Sequence, residues 1–354
     1  MKKRVTLTDI AKVAGVSKMT VSLALRADSS ISAAMQQKIR QIAAELDYTP
    51  NHMAKGLIHG KSYNLTIMIG GFLHDDYQHQ FVKGVIPYAL KRGYIVSMVP
   101  LERDLELERA MIEKFTRMQT EGFLIFHCGE PSTYAALQKQ GVPFVLYTKY
   151  FETLDSDYVV CDDYNGAYAM TEYLIDLGHK DIAFVYDSYL EQSSEVKERK
   201  MGYIQALRDR ELPYKENNLI SFNLFSSNEF VASEILENNQ TFIDILTGPN
   251  RPTALFACND ILASFIYIAV KRLGLTIPDD ISVVGYEGVY LGSVIDPPLT
   301  TVATPIQEMG RKACQVLLDK IEGILPQSEY VKIRLKPELV IRESAAALTD
   351  SSRK

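Results

Sequence analysis

The stretch that decides how this chain is read is "VTLTDIAKVAGVSKMTVSLAL", Val5 to Leu25. Ile10, Ala11 and Ala14 recur at helical spacing, Thr8 stands where an N-cap is expected, and Gly15 suits the positive-φ turn that stops a helix. A second helix restarts with Ser17 as its cap. Val21, Ala24 and Leu25 can then turn inward, while Lys18, Met19, Ser22 and Leu23 share the outer face. Two short helices joined by a tight glycine-containing turn make a helix-turn-helix. A third amphipathic helix follows in "SISAAMQQKIRQIAAELDY", capped by Ser32, with Ile39, Ile42, Ala43 and Leu46 as its inward stripe. Three helices of this size close one small core, which by itself can be purely structural.

Charge separates the two readings. The chain carries −6 overall, yet residues 1–61 hold 10 lysines and arginines against 4 acidic residues, and the remainder holds 28 against 40. A basic end, opened by Lys2, Lys3 and Arg4, on an acidic body is the asymmetry of a nucleic-acid contact confined to one module. It favours insertion of the exposed second helix into the DNA major groove. Next comes "YTPNHMAKGLIHGKS", Tyr48 to Ser62. Pro50 ends the preceding element, and Asn51 can cap one short helix carrying Ala54, Leu57 and Ile58. A helix that short does not persist alone in water, so DNA together with a partner chain is its expected support.

At 354 residues, with 47% hydrophobic and 23% charged residues, the chain has room for two or three globular units. No run approaches the roughly 18 apolar residues of a membrane helix, and Met1 to Arg4 leads into a polar pattern, so the expectation is a cytoplasmic protein without membrane contact. Cys128, Cys161, Cys258 and Cys314 lie far apart with no C-x-x-C and read as buried reduced thiols, with no metal and no cofactor implied.

From Leu65 onward, short β-rich apolar runs alternate with helical stretches. "LTIMIGGFL", "YIVSMVP", "EGFLIFH" and "VPFVLYT" form one series; "YVVCD", "DIAFVYD", "LISFN", "TALFACN" and "ISVVGYE" form a second. Continuous Val/Ile/Leu strands separated by helices mean parallel sheets covered on both faces, and two series mean two α/β lobes. Ligands in such sheets bind outside the carboxyl ends of the strands, where two facing lobes make a cleft. Enzyme readings find little support. "MIGGF" is only a glycine pair, no G-x-S-x-G elbow occurs, and His52, His59, His74, His79, His127 and His179 show no ligand or triad spacing. His179, in "LGHKD", reads as a helix-end residue balancing the dipole.

"VTLTDIAKVAGVSKMTVS", "ELDYTPN" and "AKGL", followed by "NGAYAMTEYLIDLGHKDIAFV", "ERKMGY", "LFACND", "IPDDISVVGYEG" and "PPLTTV", resemble the lactose/galactose repressor (LacI/GalR) family in order and spacing over essentially residues 4–343. The resemblance implies a small all-α helix-turn-helix headpiece (1–48), a hinge helix and linker (49–62) and a periplasmic-binding-protein-like core (63–343), with a flexible tail at 344–354. Within that core it implies an N-lobe of about 63–161 plus 293–322 and a C-lobe of about 162–292 plus 323–343. The helix at 306–322 returns to the first lobe and the strand "LKPELVIRES" to the second.

The resemblance also assigns roles. Lys18, Met19 and Leu23 fall at base-reading positions, and Ser17, Thr20, Ser22, Tyr48 and Asn51 at phosphate-contacting ones. Thr6, Leu7 and Ala54 complete the DNA-binding set. Leu57 stands where the family inserts a leucine wedge into the minor groove and kinks the duplex. Met19 and Leu23 cannot make a bidentate hydrogen bond to guanine, so base reading leans on Lys18 and on apolar contacts such as thymine methyls.

In the cleft, Arg199 matches the family's ligand-clamping arginine and Asn259-Asp260 its "ND" pair. Glu287 and Thr148 replace two customary aspartates, and Tyr77 and Asp75 lie where an aromatic stacker and a small polar residue are expected. Plainer roles exist for several of these: Asp260 can cap the helix that follows, Arg199 can neutralise Glu195 or Glu198, and Tyr77 is one of 20 tyrosines.

The expected protein is a transcriptional repressor that binds a pseudo-palindromic double-stranded operator under control of a small carbohydrate-like effector. A homodimer is expected in preference to a tetramer, because no leucine-heptad tail follows the last strand. A solute-binding protein would carry a signal peptide in place of the helix-turn-helix. A regulator controlled by a phosphocarrier protein, with no small ligand, is the remaining alternative.

Overall fold

The computed structural model describes residues 5–25, 28–48, 61–70, 76–101, 104–126, 129–224 and 237–348. Its contacts divide into two units, Met1–Ser62 and Tyr63–Lys354.

In the first unit, helices α1 (Leu7–Ala14), α2 (Lys18–Leu25) and α3 (Ala33–Glu45) close around Ile10, Val21, Ala24 and Ile39, all fully buried, with Leu25, Leu46 and Tyr48 at the margin. The first helix starts earlier than the Thr8 cap anticipates. Thr6 is the N-cap, because the Asp9 carboxylate accepts both its backbone N–H (2.9 Å) and its hydroxyl (2.7 Å), leaving Thr8 inside the first turn. Gly15 has φ +70°, a conformation that costs an L side chain, and its N–H bonds to the Ala11 carbonyl. Ser17 Oγ accepts from Thr20 N–H at 3.0 Å and Ser32 Oγ from Met35 N–H at 3.4 Å, as their cap positions require. Asn51, Ala54 and Leu57, with the hinge helix expected there, lie outside the described residues.

The second unit contains two six-stranded sheets. Strands β1 (Asn64–Ile69), β2 (Ile95–Pro100), β3 (Gly122–Ile125), β4 (Phe144–Tyr147) and β5 (Asp157–Cys161) build the first sheet in the order β5-β4-β3-β1-β2. Strands β6 (Ile182–Asp187), β7 (Leu219–Phe222), β8 (Ala254–Ala257), β9 (Ser282–Glu287) and β10 (Thr300–Ala303) build the second in the order β10-β9-β8-β6-β7. All these pairings are parallel. Near-continuous burial along β1, β3, β4, β5, β6, β8 and β9 explains their uninterrupted apolar runs.

Helices α4 (Asp76–Lys91), α5 (Leu105–Arg117) and α6 (Pro131–Lys139) cover the first sheet; α7 (Asp163–Asp176), α8 (Ser194–Asp209), α9 (Gln240–Thr247), α10 (Asp260–Arg272) and the short α11 (Leu291–Val294) belong to the second lobe. The N-terminal part of the helix expected over 228–247 lies outside the described residues.

The lobe assignment of the C-terminal segments needs correction. Thr300–Ala303, expected in the N-lobe, pairs with β9 of the second sheet. Helix α12 (Ile306–Ile321) does pack in the first lobe, against α4. Strand β11 (Lys332–Leu335), expected in the C-lobe, extends the first sheet beside β5, and β12 (Glu338–Val340) then pairs antiparallel with β10 of the second. Each of these strands has a free sheet edge to satisfy, which apolar content alone does not specify. The chain therefore passes between lobes three times, after β5, β10 and β11.

The α4–α12 crossing is close enough for backbone to meet backbone: a Cβ on Gly310 would stand 2.2 Å from the Phe81 carbonyl oxygen, and one on Gly84 2.0 Å from that of Gln307. Residues 344–348 are also docked, contrary to a tail beginning at 344. Ser344 is fully buried, its hydroxyl accepts from Thr300 N–H (2.8 Å), and Leu348 N–H donates to the Leu177 carbonyl (2.8 Å). His179 takes part: its Nε2 donates to the Ala346 carbonyl at 3.1 Å and its Nδ1 lies 3.0 Å from Thr253 Oγ1. Burial lowers its pKa, so it anchors this segment as a neutral ring and not as a dipole-balancing cation.

Candidate functional site

On the headpiece, α2 presents Lys18 and Met19 to solvent, Met19 with 71% of its surface exposed. Val21 and Ala24 on the opposite side lock the helix to the core. Thr6 and Ser17 are exposed; Leu7, Thr20, Ser22, Leu23 and Tyr48 are half-buried. Ser17 Oγ lies 2.9 Å from Thr20 Oγ1, so the helix-start N–H groups and two hydroxyls form one small cluster suited to an anionic oxygen. Leu23 sits lower on the helix than an outward position implies, which leaves Lys18 and Met19 as the most projecting side chains of α2.

In the second unit the carboxyl ends of the two sheets carry the polar groups. Arg199, on α8, is 2% exposed. Its Nε donates to Asp163 Oδ1 (2.7 Å), its Nη1 donates to the Cys258 carbonyl (2.6 Å) and stands 3.8 Å from Glu287 Oε1, and its guanidinium carbon lies 3.9 Å from the Tyr286 ring centroid. Burial opposes its charge, but Asp163 and the neighbouring acidic groups hold the pKa well above the ordinary arginine value. Burial pushes the Asp163 carboxyl up to about 7 against the pull of Arg199. The expected neutralising partners differ: Glu198 is turned away to Arg334, and Asp163 is the bonded one.

Tyr77 and Thr148 come from the first lobe, the Thr148 hydroxyl donating to Tyr77 Oη at 2.9 Å. Burial first, and then the charges of Glu287 and Asp163, raise the Tyr77 pKa, so this first-lobe phenol lies within electrostatic reach of second-lobe carboxylates. Thr148 and Glu287, the two residues that replace customary aspartates, both have left-handed backbone, φ +69° and +102°. Non-glycine residues in that region are held there by their surroundings and gather at functional sites. Tyr77 is thus bonded to Thr148 on the first lobe and Arg199 stands beside Glu287 on the second, whereas Asp75 lies outside the described residues.

The "ND" pair separates in role. Asn259, 8% exposed, is the N-cap of α10, its side-chain oxygen accepting from Leu262 N–H at 2.8 Å. Asp260 is neither the cap nor a cleft residue: it has no exposed surface, its Oδ1 accepts from Thr301 Oγ1 (2.6 Å) and its Oδ2 from Val289 N–H (2.9 Å). It fixes the loop after β9, and burial pushes its pKa up to about 7.

Sequence reasoning missed the groups that join the lobes. Tyr150 N–H donates to Ser194 Oγ (2.9 Å), Tyr150 Oη to Glu198 Oε1 (2.6 Å), and Arg334 donates to both Glu198 Oε2 (2.6 Å) and Tyr150 Oη (2.9 Å). Elsewhere Tyr290 N–H donates to Asp76 Oδ2 at 2.8 Å. These pairs are between 44 and 214 residues apart, so no local pattern marks them. Asp163 was traceable in principle, because an arginine buried by its helix must find a carboxylate. Cys161, Cys258 and Cys314 are buried free thiols with pKa values pushed by burial up to about 12, while Cys128 lies outside the described residues. No described helix is long and apolar enough to cross a membrane.

Residues 6–51 match the profile of bacterial regulatory proteins of the lacI family, and residues 171–345 that of a periplasmic binding protein-like domain. The chain is 30% identical over 352 residues to the HTH-type transcriptional regulator DegA of Bacillus subtilis (strain 168), covering 98% of this chain and 99% of that protein. Among solved structures it is similar to the lac repressor dimer bound to operator and the anti-inducer ONPF, at 25% identity and TM-score 0.80, over 98% of this chain and 100% of that one. It is also similar to a LacI family transcriptional regulator from Enterococcus faecium with bound ribose, at 27% identity and TM-score 0.68, over 81% and 100%.

Proposed function

This chain belongs to the LacI/GalR family of bacterial DNA-binding transcriptional regulators, and from that premise we propose that it is a sequence-specific repressor whose hold on its operator is set by a small molecule, a sugar or sugar derivative, in the cleft between its two lobes. The reading is supported by two polar pairs at the carboxyl ends of the two sheets, Tyr77 with Thr148 on one lobe and Arg199 with Glu287 on the other. The ribose bound by the Enterococcus faecium relative supports the effector class.

On the DNA side, two copies of the chain read a pseudo-palindrome, as the operator-bound lac repressor dimer supports. Lys18 and Met19 meet base edges, with Leu23 behind them, and Thr6, Leu7, Ser17, Thr20, Ser22, Tyr48 and Asn51 set the register on the backbone. Leu57 enters the minor groove, and Ala54 belongs to the same DNA-binding set. The acidic body limits non-specific adhesion to DNA, and effector binding shifts the balance between lobe arrangements and so the pairing of the two Leu57 wedges.

Selection of full-length protein against random duplexes at two salt concentrations tests the reading. A recovered pseudo-palindrome, whose binding then changes when a sugar is added, is the expected result. Lys18→Met should weaken the recovered site by about 1–3 kcal/mol, and Leu57→Ala should lose specific affinity far more than non-specific affinity. Retention without sequence preference would overturn operator reading, and a recovered operator indifferent to every sugar would overturn the effector assignment.

A further inference from the structure

We infer that the small molecule held in the cleft carries a positively charged nitrogen, an amine on a polar carbon skeleton, and that Glu195 is the carboxylate that receives it. This rests on the reading of the cleft as an effector site and narrows the class of effector. Glu195 stands in the first turn of α8, one helical turn before Arg199, and is 5% exposed. Its Oε2 is buried and has no hydrogen-bond partner among the described residues. A buried carboxylate oxygen left without a donor is costly, and a ligand that donates to it removes that cost.

Charge selects the donor. Glu195, Asp163 and Glu287 all act on the Arg199 guanidinium, which is already committed to Asp163, the Cys258 carbonyl and the Tyr286 face. Among the described residues the first lobe adds Lys149, 5% exposed, whose Nζ rests 4.5 Å from the Phe126 ring centroid, and Arg334, which is paired with Glu198 at 2.6 Å. The second lobe adds Asp187, fully buried at the end of β6. Among the described residues, with Glu198 and Arg334 balancing each other, the carboxylates of Asp163, Asp187, Glu195 and Glu287 therefore outnumber the cations Arg199 and Lys149. A ligand hydroxyl can donate to Oε2 but leaves that excess in place, and a ligand carboxylate adds to it. An ammonium does both jobs, donating a charge-assisted hydrogen bond and balancing the local field.

The experiment is calorimetric titration of the full-length protein with matched trios on one skeleton: glucose, glucosamine and glucuronate, and galactose, galactosamine and galacturonate. The amine of at least one trio should bind about tenfold or more tighter than its neutral member. Glu195→Gln should reduce that preference to near parity, and Glu287→Gln, which removes a neighbouring charge, should reduce it in part. Equal or tighter binding of the neutral or acidic member overturns the amine assignment while leaving an effector cleft intact. Preference surviving Glu195→Gln overturns the role of that residue. Binding by no member of either trio counts against the amine, and the operator-based sugar screen then decides separately whether the cleft reading falls as well.

Discussion

Replacing Arg199 by alanine separates a ligand clamp from a structural ion pair. If Arg199 served only the ligand, its loss would scarcely alter the free protein. The geometry says otherwise: Asp163 and Arg199 are each 2% exposed and bonded at 2.7 Å, so the alanine strands a buried carboxylate and the Cys258 carbonyl together. Breaking one side of a buried pair costs about 3–5 kcal/mol. For a body of roughly 290 residues, an unfolding entropy near 2 cal/mol/K per residue converts this into a fall in melting temperature of about 5–8 °C. The double variant Asp163→Asn/Arg199→Ala removes the stranded charge and should recover at least half of the loss, which defines a double-mutant cycle. Melting of the four proteins at pH 7.5 reads it. A single variant within about 1 °C of the parent, or a double variant as unstable as the single, would refute the pairing as a source of stability. A loss of effector response in Arg199→Ala is then interpretable only beside that melting result.

Two further outcomes follow from packing and burial. Asp260 is protonated more readily in the folded chain than in the unfolded one, so its contribution to stability is lost as pH rises through about 7 and regained as pH falls toward the ordinary carboxylate range. Asp260→Asn, which can still satisfy Val289 N–H and Thr301 Oγ1, should therefore melt closer to the parent, or above it, at pH 8 than at pH 6; a pH-independent gap would show that Asp260 does not titrate in this window. Gly310→Ala should destabilise by about 2 kcal/mol or more, because its Cβ meets the Phe81 carbonyl oxygen, whereas an uncrowded helical glycine gains about 1 kcal/mol from the same change. A higher melting temperature would mean the α4–α12 crossing is looser than described.

The headpiece was legible because its determinants are local. Ser17, Gly15, Ser32 and the stripe of Ile10, Val21 and Ile39 each act within a few residues; the structure departs at the first cap, where Asp9 decides for Thr6 over Thr8, and at Leu23, which is half-buried and not outward. Parallel strands were legible because burial on both faces makes them uniformly apolar. What the sequence did not disclose was set by distant edges and buried charge. Nothing within "TTVATP" or "VKIRLKPELV" says which sheet edge lacks a partner, so Thr300–Ala303 and Lys332–Leu335 were placed in the wrong lobes. Asp260 follows a strand as a ligand residue would, yet the loop at Gly288 and Val289 claims it, a fact that depends on residues nearly 30 positions away.

The triple passage between lobes bears on how the protein is made. The first sheet is incomplete until β11, ending at Leu335, is available, and its covering helix α12 spans Ile306–Ile321; the second sheet needs β10 and β12 from the same late region. Neither lobe can complete its sheet until this late region has been translated. Both remain with an uncovered sheet edge for most of synthesis, and they finish almost together. Long-range closure of this kind is slow and leaves apolar strands accessible in the interval, so nascent chains should lean on holding chaperones, and premature termination before residue 335 should yield aggregate in place of a usable single lobe.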